Sequence, residues 1–170
     1  LDKAVLAIGN QKALRGEHKK AVAYLEDFVK DNPDVPTAVN FYMKIGDLYE
    51  KHLGKKQSAI KTYGIVLAGE PVDQMYSHAA YRQGVLLKEV GKEKSAVEAL
   101  EKVRQEDKAV FRAAQAEIGK IIAKKDPEEA IRRYHKIVEA AESPEDSAIA
   151  MIGIGDVYDE IKKHRQAAKT

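Results

Sequence analysis

The sequence predicts an all-α protein, a right-handed superhelical solenoid of antiparallel helix-turn-helix units. Three observations carry that expectation. The stretches IGDLYEKHLGKKQSAIKT (residues 45–62) and IGDVYDEIKKHRQAAKT (residues 154–170) are near copies of one another. Between and before them a glycine recurs in the same apolar setting, at Gly9, Gly46, Gly84, Gly119 and Gly155, in steps of 37, 38, 35 and 36 residues. No segment alternates apolar and polar residues between hairpin turns, as a half-buried strand would.

Each copy has the same internal grammar. In its first helix an apolar residue stands four before the glycine, another one before it and another three after it. Tyr42, Ile45 and Tyr49 fill these places in the second copy, and Met151, Ile154 and Tyr158 in the fifth. That spacing puts all three on one helical stripe. A turn follows, then an alanine with a bulky residue four further on: Ala21 with Leu25, Ala59 with Tyr63, Ala96 with Leu100, Ala130 with Tyr134. Ala167 would open the next such pair. One helical turn separates the members, so small and large stack on one face. A mid-helix glycine costs ~1 kcal/mol against alanine, so a glycine kept at one register implies close helix crossings.

Punctuation marks the ends. Asn32-Pro33 and Glu70-Pro71 close second helices, and Pro36 suits an opening turn. Asp126-Pro127-Glu128-Glu129 and Ser143-Pro144-Glu145-Asp146 place cap, first-turn proline and first-turn acids in the order the helix dipole favours. The repeats then span about 2–35, 36–72, 73–107, 108–142 and a partial 143–170, one array from 1 to 170. The last copy breaks off inside a second helix with no polar capping helix after it, which implies a piece of a longer protein. Val157, Tyr158 and Ile161 are then expected to be exposed and to favour self-association through the truncated repeat.

Composition excludes several functions. Lys and Arg (29) nearly balance Asp and Glu (27), and only 6% of residues are aromatic, with no Trp, so neither a basic field nor a stacking platform for nucleic acid is present. Cysteine is absent, which removes disulfides, thiolate catalysis and cysteine-ligated zinc. No apolar run reaches the ~18 residues of a membrane span, so direct membrane insertion is not expected. No targeting leader is visible, and both cytoplasmic and periplasmic locations are compatible.

The copies resemble the tetratricopeptide repeat family, whose pattern runs Trp-x2-Leu-Gly-x2-Tyr, then Ala-x3-Phe, then Pro. The second copy matches best, with Tyr42, Ile45, Gly46, Tyr49, Ala59, Tyr63 and Pro71. The first keeps Val5, Ile8, Gly9, Ala21, Leu25 and Pro33 but has Lys12 at the Tyr place. The third has Ala80 and Gln83 where larger apolar residues are usual, and the fourth has Gln115 at the Trp place. The repeat steps exceed the family's usual 34 residues, in which the chain resembles bacterial envelope and assembly factors of the family.

Catalytic constellations are missing. His18, His52 and His164 fall at equivalent places, the turn between the two helices of a repeat, and read as exposed polar turn residues. None of the five histidines has a partner at metal-binding helical spacing. Gly153-Ile154-Gly155 lacks the strand and third glycine of a dinucleotide fingerprint, and Gly64 to Gly69 is followed by Glu70 where a phosphate-binding lysine would stand. The Lys/Arg runs near turns read as solvated helix ends. No enzyme and no cofactor is expected.

The resemblance implies that first helices line a concave face. Their exposed side carries Asn10, Asp47 and Lys120 just after the glycine, Lys44 and Arg82 two before it, Met43 and Tyr81 three before it, and Asn40 and His78 six before it. Leu6, Met43, Tyr81 and Ile152 would form an apolar track with a basic middle. Such a groove suits a protein or peptide partner with apolar anchors and acidic character. One branch of the family grips a C-terminal carboxylate, but only Asn10 and Arg82 match its clamp, while Leu6, Lys44 and His78 do not. The expected function is therefore a protein-interaction scaffold; the alternative is an architectural, self-associating segment of a larger assembly.

Overall fold

The computed structural model describes residues 1–69 and 74–167. Among the described residues there are nine α-helices and no strand: α1 Asp2–Leu14, α2 His18–Asp31, α3 Ala38–Asp47, α4 Lys56–Val66, α5 Gln74–Glu89, α6 Glu93–Leu100, α7 Lys108–Ile122, α8 Pro127–Glu139 and α9 Pro144–Ala167. A π-helical turn, Leu48–His52, continues α3. The chain divides into two compact units, Leu1–Leu86 and Leu87–Thr170.

In the first unit α1 packs on α2, α2 on α3 and α3 on α4. Their core holds Val5, Ala21, Val22, Leu25, Val29, Phe41, Ile45 and Leu48, with Phe28 stacked on Phe41 at 4.8 Å between ring centres. In the second unit α6 packs on α7, α7 on α8 and α8 on α9. Ala130, Tyr134, Ile137, Ala150 and Val157 form a core there. All four alanine-plus-large pairs expected to stack are buried: Ala21 and Leu25, Ala59 and Tyr63, Ala96 and Leu100, Ala130 and Tyr134.

The glycine register is a packing device. A Cβ on Gly9 would stand 2.6 Å from Leu25 Cδ2, one on Gly46 2.6 Å from Tyr63 Cε1, and one on Gly119 2.9 Å from Tyr134 Cε2. In each case the large member of the pair four residues after the alanine fills the groove that the missing side chain leaves. Gly155 departs from the rule, since nothing lies within 4 Å of its Cβ direction; a Cβ on Gly153 would instead run into the Tyr134 ring. The ring of Tyr134 thus lies between α7 and α9.

Hairpin turns use a second set of glycines. Gly16 (φ 78°) and Gly91 (φ 77°) adopt the left-handed conformation that ends a helix. The next amides, of Glu17 and Lys92, donate back to Lys12 O and Leu87 O at 3.0 and 2.9 Å. These turn glycines lie seven residues after the register glycines Gly9 and Gly84, whereas Gly54 lies eight after Gly46. The extra residue is taken up by the π-helical turn, in which the Leu53 amide donates to Leu48 O at 3.1 Å and the Lys55 amide to Tyr49 O at 2.8 Å.

Helix ends follow the punctuation with exceptions. Asp126 Oδ1 accepts from the Glu129 amide at 2.9 Å with Pro127 opening α8. Ser143 Oγ accepts from the Asp146 amide at 3.2 Å while Asp146 Oδ2 accepts from the Glu142 amide at 3.1 Å, a reciprocal cap. Asn32 closes α2 through Nδ2 to Phe28 O at 2.9 Å. Pro36, expected inside an opening turn, stands two residues ahead of α3. Glu70-Pro71 lies outside the described residues.

The fifth copy differs most from expectation. His164 does not sit in a turn: α9 runs without a break to Ala167. The physical reason is visible in the sequence, because DEIKKHRQAA carries no glycine where Gly16, Gly54 and Gly91 end their helices. Nor is Val157 exposed. It is 2% accessible, packed on the α8 side, and Ile161 is partly buried there, whereas Tyr158 is exposed as expected.

Candidate protein-binding surface

The first helices of unit 1 are tied together by polar contacts at their ends. Thr37 Oγ1 donates to Asp2 Oδ2 at 2.9 Å, joining the start of α3 to α1. Gln83 Nε2 donates to Ile60 O at 3.0 Å, joining α5 to α4. Between α3 and α5, Glu50 takes Arg82 in a two-point ion pair, with Arg82 Nε donating to Oε2 at 3.0 Å and Nη2 to Oε1. Tyr63 OH donates to both Asp47 Oδ1 and Glu50 Oε2, each at 3.0 Å. Burial first, then the charges of Asp47 and Glu50, push the Tyr63 hydroxyl well above the usual range, so it stays a donor. Asp47 also pairs with Lys51 at 3.0 Å.

This arrangement corrects the expectation that Arg82 projects freely beside Lys44. Arg82 is neutralised from within, and Asp47 is occupied too. In unit 2, Lys120 pairs with Glu117 at 2.9 Å, and Glu117 also holds Lys88 at 2.5 Å. Burial pushes the Glu117 carboxyl up, but bonds from Lys88 and Lys120 outweigh it and hold the group below its ordinary value.

A register rule emerges. The residue four after one copy's glycine pairs with the residue two before the next copy's glycine: Glu50 with Arg82, and Lys88 with Glu117, with the signs exchanged. The same rule sets Ala13 against Lys44. An alanine offers no charge, and among the described residues Lys44 has no ion pair. The rule is readable in the sequence once the copies are aligned on their glycines, yet single-residue inspection of the exposed face does not find it.

The remaining expected groove residues are distributed as follows. Asn10 is partly buried on α1, and its Oδ1 is shielded from water without a hydrogen-bond partner. Asn40, Met43 and Tyr81 are half-buried, and His78 is exposed. Leu6 packs against the unit 1 core, so it is not a free member of the apolar track. Ile152 is exposed on α9. His52 is exposed as expected, but His18 is half-buried: their rings stack at 4.2 Å with an 18° tilt, and His18 Nδ1 is buried without a partner. The His164 side chain lies outside the described residues.

No three His, Asp or Glu side chains come together to hold a metal among the described residues, and no described helix is long and apolar enough to cross a membrane. What the geometry defines is a protein of repeated helical hairpins whose first helices in unit 1 carry the unpaired Lys44 beside half-buried apolar side chains.

Comparison with known proteins gives the kind of repeat in the second hairpin and the fold. Residues 41–69, from Phe41 through the π-helical turn and α4, match the sequence model of the tetratricopeptide repeat. A tetratricopeptide repeat protein from Parabacteroides merdae ATCC 43184 has a similar structure, with a TM-score of 0.75 at 16% identity over 93% of this chain and 60% of that one. MamA (41-end) from Desulfovibrio magneticus RS-1 aligns with a TM-score of 0.62 at 21% identity, over 95% of each chain. The putative kinesin light chain repeats of Podosopora anserina align with a TM-score of 0.66 at 16% identity, over 98% of this chain and 90% of that one. No curated protein sequence matches the chain. The match over residues 41–69 makes the second hairpin a tetratricopeptide repeat in pattern, and the similar structures show the same fold over the chain. Tetratricopeptide repeat proteins are typically non-catalytic, and the fold is in general that of a protein-interaction scaffold.

Proposed function

We propose that the exposed side of α1, α3 and α5 in unit 1 binds a segment of a partner protein that carries an acidic group and apolar anchors. The observation that carries this reading is the unpaired Lys44. At the equivalent register Arg82 and Glu117 are each satisfied by a residue of the preceding copy, whereas the register position that corresponds for Lys44 is Ala13, which carries no charge. The acidic group of the partner is assigned to Lys44. Met43 and Tyr81 supply half-buried apolar surface for the anchors.

A peptide library displaying acidic, apolar-anchored segments, screened against the 170-residue chain, tests this. Binders should lose on-rate in Lys44→Glu, an effect that salt partly masks. Tyr81→Ala should cost about 1–3 kcal/mol, mainly through faster dissociation. Lys120→Glu, in unit 2 and already paired, should change little. Binders whose kinetics are indifferent to both Lys44→Glu and Tyr81→Ala would rule out this surface.

A further inference from the structure

Two turns of unit 1 stand side by side and concentrate charge of one sign. Residues 15–20 and 51–56 together hold Arg15, Lys19, Lys20, Lys51, Lys55 and Lys56 against a single acid, Glu17, whereas the rest of the chain is on balance acidic. All six cations are exposed. Packing brings the two turns together: His18 stacks on His52 at 4.2 Å, and Leu53 borders the same cleft as Gly16, Glu17, Lys19 and Lys20. Lys20 is met by Glu17 at 3.5 Å and Lys51 by Asp47 at 3.0 Å, but Arg15, Lys19 and Lys55 have no carboxylate partner among the described residues.

The placement of these lysines does not serve the fold. A cation steadies a helix at its C-terminal end, where carbonyls are bare; at the N-terminal end it opposes the dipole. Lys19 and Lys20 lie in the first turn of α2, and Lys55 and Lys56 stand at the start of α4. Neither start has an acid in its first turn or a side-chain cap, so no side chain satisfies the first amides of these helices. The same chain opens α6 with Glu93, α8 with Glu128 and Glu129, and α9 with Glu145 and Asp146. Two adjacent helix starts that gather cations instead make an edge that attracts anions.

We propose that this turn edge is a second docking surface, separate from the exposed side of α1, α3 and α5, and that its occupant is an acidic segment of a protein with apolar side chains between its acids. Charge complementarity supplies the acids, and the relief of the edge supplies the rest. Two clefts open between the turns, of about 300 Å³ beside Gly16 to Lys20 and about 200 Å³ between Lys19 and Lys55, and Leu53 borders both. They lie at or below the lower end of the roughly 300–1,000 Å³ of small-molecule sites, a size that suits single side chains. Val22 and Tyr49 line the second cleft, and its one acid, Glu26, is occupied by the Tyr49 hydroxyl at 2.7 Å. Lys19 and Lys55 at its borders take the carboxylates that flank the inserted apolar side chain. A bilayer surface would meet the lysines without entering the clefts. Nucleobases would find the two imidazoles already stacked on each other.

Amide shifts of the isotope-labelled 170-residue chain test the proposal. The probe is a synthetic polyglutamate peptide carrying two leucines, in versions that set the leucines two, three and four residues apart. At least one version should move the amides of residues 16–20 and 53–56, and its counterpart with serine for leucine should bind at least about fivefold more weakly. Lys19→Glu with Lys55→Glu should raise the dissociation constant read at those amides by at least about tenfold. Lys94→Glu with Lys102→Glu reverses as many exposed charges in unit 2 and should leave it within about twofold. Lys44→Glu should leave it unchanged too, so failure of this edge and failure of the surface on α1, α3 and α5 are read separately. The proposal is overturned by peptides that leave residues 16–20 and 53–56 unmoved, or by equal weakening in the two double variants. Phosphatidylserine vesicles or an oligothymidylate binding more tightly than every peptide at about 0.15 M salt would also overturn it.

Discussion

At Gly46 the absence of one carbon sets how closely α3 and α4 meet. Any side chain there would begin 2.6 Å from the Tyr63 ring, which is fully buried and held by Asp47 and Glu50. Gly46→Leu should therefore destabilise by about 1–3 kcal/mol through overpacking. Gly155→Ala is the contrasting case, since its added methyl meets nothing and gains helix propensity of up to ~1 kcal/mol. Urea titrations of the two variants check both signs. An unchanged midpoint for Gly46→Leu would place that glycine away from a crossing. The sequence pointed to a glycine in every first helix, and correctly for Gly9, Gly46 and Gly119. For the fifth copy it pointed to Gly155, whereas the close approach falls at Gly153, because closeness depends on which neighbouring helix is present. At α9 it is Tyr134 of α8 that presses, and it presses on Gly153.

At the scale of elements, turn chemistry decides where hairpins fold. Gly16, Gly54 and Gly91 turn the chain with positive φ, while α7 stops at the Asp126-Pro127 start of α8. Asp126 carries that boundary through its bond to the Glu129 amide. Asp126→Ala should cost about 0.5–2 kcal/mol and leave the helical spectrum of the folded protein unchanged. Thermal melts followed at 222 nm check this, and a melt identical to the native chain would mean that the Pro127 start holds unaided. Element type and phase were legible because glycine, proline and cap residues act locally. The continuous α9 was missed because similarity between copies suggested a turn at His164, while the residue that makes such a turn is absent. The π-helical turn was present in the sequence as an eight-residue spacing among sevens, and its backbone form follows from fitting one more residue between two fixed crossings.

Across the whole molecule, the carboxyls held below their ordinary values include Glu93, Glu117, Glu129, Glu142 and Asp146, all of them in unit 2. Glu129 is held down by Arg132 first and then, against the effect of burial, by Arg133; Glu142 is held down by Lys108 first. A carboxyl depressed in the folded state contributes stability that is present above its unfolded value and is lost as pH falls through its folded value. Acidification below the ordinary glutamate value of 4.5 should thus weaken unit 2 before unit 1. Residue-resolved NMR along an acid titration checks the order, and earlier loss of native shifts in 1–86 would contradict it. The sequence alone determined the helical class, the hairpin phase and the alanine-plus-large core pairs, because these rest on spacings within about one helical turn. Only the tertiary structure decided which charges on the candidate surface are spent and which are free. Glu50 neutralises Arg82 across 32 residues, and Ala13 leaves Lys44 unpaired. An ion pair needs two groups brought within reach by packing, and the surroundings of a single residue in the sequence do not say what the next repeat will set opposite it.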